Sequence, residues 1–177
     1  MTQSAKHENT LREFAAQRAL ENDVSSSWAE FGVENGTSAR YFLEQLPEDG
    51  RLYLFDSFQG LPEDWVRGDL VRHKGCHRAE AIPQFNDPRV TIFPGWFADM
   101  LPLDPVLGFV HIDCDLYSST KEVLEGINVT KGTVILFDEL FGYDGYEAHE
   151  YKALREYDRP YKVIGRDDKY RAAIEIL

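Results

Sequence analysis

The stretch Trp28-Ala29-Glu30-Phe31-Gly32-Val33-Glu34-Asn35-Gly36-Thr37-Ser38 decides how this chain folds. An apolar run breaks on one glycine, turns on a second, and reopens on two hydroxyl residues. Glycines at such a break let the backbone turn tightly and approach a ligand, and Thr37 and Ser38 suit the start of a helix. The spacing is G-x-x-x-G, without the middle glycine of the dinucleotide fingerprint. Beyond it, Ala39, Phe42, Leu43 and Leu46 fall on one helical face.

The same strand-then-helix grammar repeats along the chain. Trp28–Val33, Arg51–Phe55, Arg89–Phe93, Val106–Ile112 and Thr133–Phe137 are nearly continuous in apolar residues, as strands covered on both faces are. Thr10 with Glu13, and Ser119 with Glu122, have the spacing of helix capping boxes. A last helix is expected over Glu147–Tyr157, ending before Pro160. Tyr161–Ile164 and Arg171–Ile176, around the turn-like Arg166–Asp168, read as a terminal hairpin. This alternation predicts a parallel α/β sheet with an antiparallel strand at its end, in a single domain over 1–177 with an N-terminal helix within 1–25. Pro62–Pro88 follows no clean period and is expected to form a helix and a mobile lid.

Composition narrows the functions open to such a domain. The 177 residues are 43% hydrophobic and carry a net charge of −12, which disfavours nucleic acid and anionic membranes as partners. No apolar run reaches the roughly 18 residues of a membrane span, and the first ten residues lack the apolar stretch of a signal peptide, so a cytoplasmic location is expected. Two cysteines, Cys76 and Cys114, make no disulfide framework. His73, Cys76 and His77 fall one ligand short of a closed zinc site.

Ligands of parallel α/β sheets bind beyond the carboxyl ends of the strands. There the second strand meets Asp56-Ser57-Phe58, an acid placed to accept hydrogen bonds from a ribose or to cap a helix. The fourth ends in His111-Ile112-Asp113-Cys114-Asp115 and the fifth in Phe137-Asp138-Glu139. Four carboxylates at neighbouring strand ends must be protonated or neutralised by a cation, and hard oxygen donors suit Mg²⁺, Mn²⁺ or Ca²⁺. Asp113, Asp115, His111 and His149 are the candidate bases, with His111 read chiefly as a core residue and His149 as an exposed helix residue. Cys114 among acids is expected to be a blunted nucleophile.

Five motifs in order, E-x-G-x-x-x-G-x-S from Glu30, D-S-F-Q-G-L-P from Asp56, P-G-W-F from Pro94, H-I-D-C-D-L-Y-S-S-T from His111 and F-D-E from Phe137, resemble the class I S-adenosylmethionine-dependent methyltransferases. Within these the chain looks like the macrocin O-methyltransferase family. The resemblance implies a Rossmann-like, mostly parallel seven-stranded sheet with a C-terminal antiparallel hairpin and helices on both faces. It implies O-methylation of a small-molecule hydroxyl such as that of a sugar, with no nucleic acid or membrane partner, and a homodimer is one assembly open to it. Glu30, Gly32, Gly36 and Ser38 would line the methionine end of the cofactor; Asp56, with Ser57 and Phe58 beside it, would hold the ribose; Gly95 and Trp96 would lie near the adenine. Asp113 would sit by the sulfonium and join Asp138 and Glu139 as ligands of Mg²⁺, Glu139 standing where relatives carry Asp or Asn. Asp113, Asp115 and His149 are the catalytic candidates. By that resemblance the chain is expected to be short for the family and to lack much of an N-terminal extension that helps cover the substrate. The D-x-D of Asp113 and Asp115 also resembles that of metal-dependent nucleotide-sugar glycosyltransferases. A cofactor-binding protein without turnover is a third reading.

Overall fold

Strands that run apolar on both faces have to be covered on both, and the chain supplies the helices to do it. The computed structural model describes residues 10–177. In chain order it contains α1 (Thr10–Asn22), β1 (Ser27–Phe31), α2 (Thr37–Gln45), β2 (Arg51–Asp56), β3 (Trp65–Arg67), β4 (Leu70–Arg72), β5 (Val90–Pro94), α3 (Phe97–Met100), β6 (Phe109–Ile112), α4 (Tyr117–Gly126), β7 (Val134–Phe137), a 3₁₀ turn (Tyr146–Ala148), α5 (Glu150–Glu156), β8 (Tyr161–Arg166) and β9 (Ala172–Ile176). Seven strands form one sheet in the order β5-β2-β1-β6-β7-β9-β8. The first five are mutually parallel, and β9 runs antiparallel to both β7 and β8. The strand order reverses next to β1, so the crevice expected at such a switch point lies between the ends of β1 and β6.

The two-residue side-chain period of a strand sorts the core into two layers. Phe109, Val134 and Leu136 face α1 and α2, packing with Ala15, Ala19, Ala39 and Phe42. Val110, Ile112, Ile135 and Phe137 face α4 and α5, packing with Val123, Leu124, Ala153 and Leu154. The same alternation places His111 on the α2 side, its ring 4.9 Å from that of Phe42.

Three expectations are corrected. The segment 62–88 contains no helix; it opens with a small antiparallel hairpin, β3–β4, whose two-residue Gly68-Asp69 loop has the glycine at positive φ that such turns require. Ser119 and Glu122 form no capping box, because α4 starts earlier, at Tyr117, with Leu116 as an N-cap that makes no side-chain bond. The last helix proper spans only Glu150–Glu156, since the 3₁₀ turn takes the residues before it. The N-terminal helix is seen over Thr10–Asn22; the part of the 1–25 expectation before Thr10 lies outside the described residues.

The C-terminal hairpin is tied to α1 by charge. Glu175 on β9 accepts from Arg18 at 2.7 Å and from Lys162 at 2.8 Å. Burial alone would raise its pKa, but these hydrogen bonds, with a further one from Asn22, prevail and hold it at about 2. A depressed carboxylate pKa stabilises the fold above its unfolded value and loses that contribution as pH falls through the folded one. Because Arg18 and Lys162 are partly solvated, we expect Glu175→Gln to cost about 1–2 kcal/mol at pH 7. In urea titrations the gap between wild type and variant should close as pH falls from about 4.5 to about 2.

Candidate active site

The carboxyl ends of four strands are locked together by backbone contacts, and Gly32 is the closest of them. It has φ +90°, and a Cβ at this position would stand 1.9 Å from the Asp113 carbonyl oxygen. Its N–H donates to the Phe55 carbonyl at 3.0 Å, while the Asp113 N–H donates to the Phe31 carbonyl at 2.9 Å. Asp56 then binds the loops with its carboxylate. Oδ2 accepts from the Val33 and Glu34 N–H groups at 2.7 and 2.8 Å, and Oδ1 from the Phe58 N–H at 2.7 Å. The Gly95 N–H reaches the Asp56 carbonyl at 2.9 Å. Gly36, also at positive φ, is the N-cap of α2.

Beyond β6 the chain turns sharply. Asp115 has φ +64°, and the N–H groups of Cys114 and Asp115 both donate to Glu150 Oε1 at 3.2 Å. Glu150 is fully buried, and its pKa is raised first by that burial and then by the charges of Asp115 and Asp113. Burial likewise raises Asp113, reinforced by Asp138, and lifts Asp115 to about 7, reinforced by Glu139 and Asp138. The Cys114 thiol is also pushed up by burial, in line with a blunted nucleophile.

The acids after β7 are differently placed. Asp138 Oδ1 accepts from Arg12 at 2.7 Å and from Arg171 at 2.9 Å, and lies 3.7 Å from His111 Nε2. Burial would raise Asp138, but His111 and the two guanidiniums prevail and hold it far below the usual carboxylate range. Arg67 Nη1 reaches both oxygens of Glu139, at 3.2 and 3.1 Å, from over the rings of Trp65 and Tyr143. His111 is a core residue, wholly buried, with Nδ1 2.9 Å from Glu30 Oε1. Burial would lower its pKa; the carboxylates of Asp138 and Glu30 beside the ring instead raise it to about 9. Glu30 accepts in addition from the Ser38 hydroxyl.

These ends open onto one cavity of about 690 Å³, within the range of small-molecule sites. Gly32, Ser38, Asp56, Ser57, Gly95, Trp96 and Asp113 line it, as do Asp115, Asp138 and Glu139. Glu30, Gly36 and Phe58 are not among the lining residues; Glu30 sits beneath Ser38, and Phe58 is buried in the core layer of α1 and α2. His149 is not a lining residue either, nor an exposed one. It is nearly buried, with its Nε2 2.6 Å from the Val66 carbonyl and its ring against Trp65 and Tyr143, so it supports the β3–β4 hairpin. Arg12, Trp65 and Arg67 also line the cavity, and Glu150 holds the lining turn at Cys114 and Asp115, although no motif marks any of them.

Among the described residues, one group of three metal-capable side chains converges: His111, Asp113 and Asp138 place ligand atoms within 4.8 Å of one another. His73, Cys76 and His77 do not join such a group. Two hard carboxylates, one of them with its charge disfavoured by burial, suit a divalent cation. Asp113 therefore fits such an ion; Asp138 could join it only alongside the two guanidiniums that already occupy its Oδ1, and Glu139 only by leaving Arg67.

A parallel sheet that reverses its order beside β1, with glycine loop, strand-end acid and acidic turn around one cavity, is the arrangement of the class I methyltransferase fold. The chain belongs to the macrocin-O-methyltransferase (TylF) family, which it matches over residues 4–170. It is 29% identical over 150 residues to the 8-demethyl-8-(2,3-dimethoxy-alpha-L-rhamnosyl)-tetracenomycin-C 4'-O-methyltransferase of Streptomyces olivaceus, covering 72% of this chain and 58% of that one. It is 31% identical over 143 residues to the demethyldecarbamoylnovobiocin O-methyltransferase of Streptomyces niveus, covering 67% and 54%. The matches thus span little more than half the length of these relatives. Among solved structures, the O-methyltransferase NovP superposes with a TM-score of 0.69 at 24% identity, over 92% of this chain and 78% of its own. The calicheamicin methyltransferase CalS11 superposes with a TM-score of 0.73 at 23% identity, over 98% and 80%. Both have the same fold.

Gly32→Ala tests whether the close approach of the β1 and β6 ends builds the cavity. We expect a loss of about 2 kcal/mol or more in denaturant unfolding, since the new methyl meets backbone and the φ is unfavourable. Gly75→Ala, also at positive φ but with no atom within 4 Å of the added Cβ, is expected to cost less.

Proposed function

We propose that this chain transfers the methyl group of S-adenosylmethionine to a hydroxyl of a sugar-bearing small molecule. The observation that carries the reading is the meeting of Gly32, Asp56 and Asp113 at the wall of a single cavity. Family membership supports the donor, and the activities of the two Streptomyces relatives support a glycosidic acceptor.

In this reading the methionine end lies against Gly32 and Ser38, with Asp113 beside the sulfonium, where a carboxylate favours the positive charge. Glu30 and Gly36 act one step back: Glu30 through the Ser38 hydroxyl and His111, Gly36 by starting α2. Asp56 Oδ1 takes a single N–H and keeps room for a ribose hydroxyl, with Ser57 next to it; Phe58 contributes its backbone N–H to Asp56. Gly95 and Trp96 flank the adenine.

Methyl transfer is a displacement. The acceptor oxygen forms a bond to the methyl carbon as the carbon–sulfur bond breaks, the electron pair stays on sulfur, and the hydroxyl proton must leave. Holding oxygen, carbon and sulfur in line is the main contribution of the protein. Asp115 takes the proton, being a cavity-lining carboxylate held in a fixed turn by Glu150. Asp113 would hold a divalent ion, with Asp138 joining alongside its two guanidiniums and Glu139 after release from Arg67. Such an ion, when bound, lowers the pKa of a hydroxyl that reaches it.

Radiolabelled methyl transfer to rhamnosylated and other glycosylated acceptors tests the activity. Asp115→Asn should lower kcat by about 100-fold or more while S-adenosylhomocysteine affinity by calorimetry changes little; near-normal turnover in that variant would remove Asp115 as the base. EDTA should abolish turnover and Mg²⁺ restore it. Full activity after exhaustive chelation excludes the ion and leaves the donor site standing.

A further inference from the structure

The run Arg72-His73-Lys74-Gly75-Cys76-His77-Arg78 puts three of the chain's 19 Lys and Arg residues, and two of its five His, into seven positions, in a chain with a net charge of −12. It follows directly on β4 and is fastened to the cavity rim. The Leu61 N–H donates to the Cys76 carbonyl at 2.8 Å, and the Gly75 N–H donates to the Leu61 carbonyl at 2.9 Å. Gly60, at φ +81°, fits so closely that a Cβ there would stand 2.3 Å from the Cys76 carbonyl oxygen. Arg72 and His77 line the cavity itself.

Elsewhere in the site basic side chains are consumed by acids: Arg12 and Arg171 by Asp138, Arg67 by Glu139. In the basic turn His73 pairs with Asp64, but Arg72, Lys74 and Arg78 form no ion pair among the described residues. Arg72 and His77 line the cavity, and Lys74 and Arg78 stand exposed on the same turn. Of these, Arg72 acts on an acid of the site, Glu139, without pairing with it. In a chain so rich in acids this basic turn is a charge feature the methyl donor does not explain. The donor is cationic at sulfur, and the acids suited to it, Glu34, Asp56 and Asp113, come from the loop after β1, the last residue of β2 and the turn after β6.

Resting on the methyl-transfer reading, we infer that the acceptor carries a phosphate-type anion beside its reacting sugar, as a nucleotide-linked sugar does, and that Arg72 and the turn to Arg78 bind it. A cavity of about 690 Å³ is the size of a site for one medium ligand. With the donor inside, only the reacting part of the acceptor is enclosed, and the rest of it meets the rim. Guanidinium groups pair with phosphate oxygens in a bidentate fashion, and several cations spread over a short turn match a diphosphate better than one carboxylate.

The test is calorimetry on protein loaded with S-adenosylhomocysteine, using uridine diphosphate, glucose 1-phosphate and an uncharged methyl glycoside as separate probes. At least one phosphate probe should bind, more weakly as salt rises, and about 10-fold or more weakly to the Arg72→Ala/Arg78→Ala variant. S-adenosylhomocysteine affinity should be the same in both proteins. Lysine at both positions should restore most of the phosphate affinity. Diphosphate against monophosphate binding tells a nucleotide-linked sugar from a sugar phosphate. No phosphate binding while S-adenosylhomocysteine binds normally overturns the inference and leaves methyl transfer standing. An equal loss of S-adenosylhomocysteine affinity in the variant also overturns it, by assigning the turn to the donor's carboxylate. Failure of wild type to bind S-adenosylhomocysteine removes both readings.

Discussion

Gathering Asp113, Asp115, Asp138 and Glu139 at the edge of one sheet is electrostatically unfavourable, and the rest of the site is organised by how that repulsion is relieved. Taking a charge out of water costs several kcal/mol unless a partner replaces the solvent. Here the partners come from segments far apart in sequence: Arg12 on α1, Arg67 on β3, and Arg171 just before β9. Arg12 lies 126 residues from the aspartate it neutralises, and Arg67 lies 72 residues from its glutamate. Each pair also fastens an outlying element onto the sheet, so the chemistry of the site and the closure of the fold depend on the same contacts. His111 extends the network inward, joining Asp138 to Glu30 beneath α2.

The relief is uneven, and this divides the acids into two kinds. Asp138 is held ionised by guanidiniums, and Glu139, though bonded to Arg67, still has its pKa raised by burial. Asp113 and Asp115 have no arginine on their carboxylates, and their ionised forms are disfavoured by burial and by their neighbours. A carboxylate in that condition gains from a cationic ligand or from taking a proton, and these are the two events that methyl transfer from a sulfonium to a hydroxyl presents. Asp115 is kept in its strained backbone conformation by Glu150, whose one oxygen accepts both N–H groups of the turn. The site is thus preorganised by backbone hydrogen bonds that do not change as charge moves through it.

What the sequence reveals is what short-range physics controls. The five parallel strands are legible because a strand covered on both faces must be apolar almost throughout. Gly32 is legible as a turn, and Asp56 as an acid at a strand end. Less legible is how Asp56 is used: an acid before a loop can serve a ligand or its own backbone, and here it already accepts three N–H groups. The β3–β4 hairpin escapes notice because three-residue strands carry too little periodicity, although Gly68-Asp69 marks the turn. Arg12, Arg67, Arg171 and Glu150 cannot be picked out at all, since an arginine that will meet an aspartate across the fold looks like any other. His149 misleads for the opposite reason: the helix expected around it begins only at Glu150, and the preceding 3₁₀ turn directs its ring beneath the hairpin.

The D-x-D reading as a nucleotide-sugar glycosyltransferase shares the acids but differs in what they are attached to. Such a motif needs a strand end and a metal, and nothing in it requires the first glycine of another loop to lie against its backbone. In this chain the carbonyl of Asp113 occupies the space where Gly32 would carry a side chain, and the Asp113 N–H is bonded to Phe31, one residue before that glycine. Asp56 holds the following residues, Val33 and Glu34, in place. The acidic turn, the glycine loop and the strand-end acid are therefore one mechanical unit, and displacing any of them displaces the others. That coupling has a use where a cationic sulfur centre must be aligned with a nucleoside on one side and an acceptor oxygen on the other. It has none where the acids only hold a metal under a diphosphate.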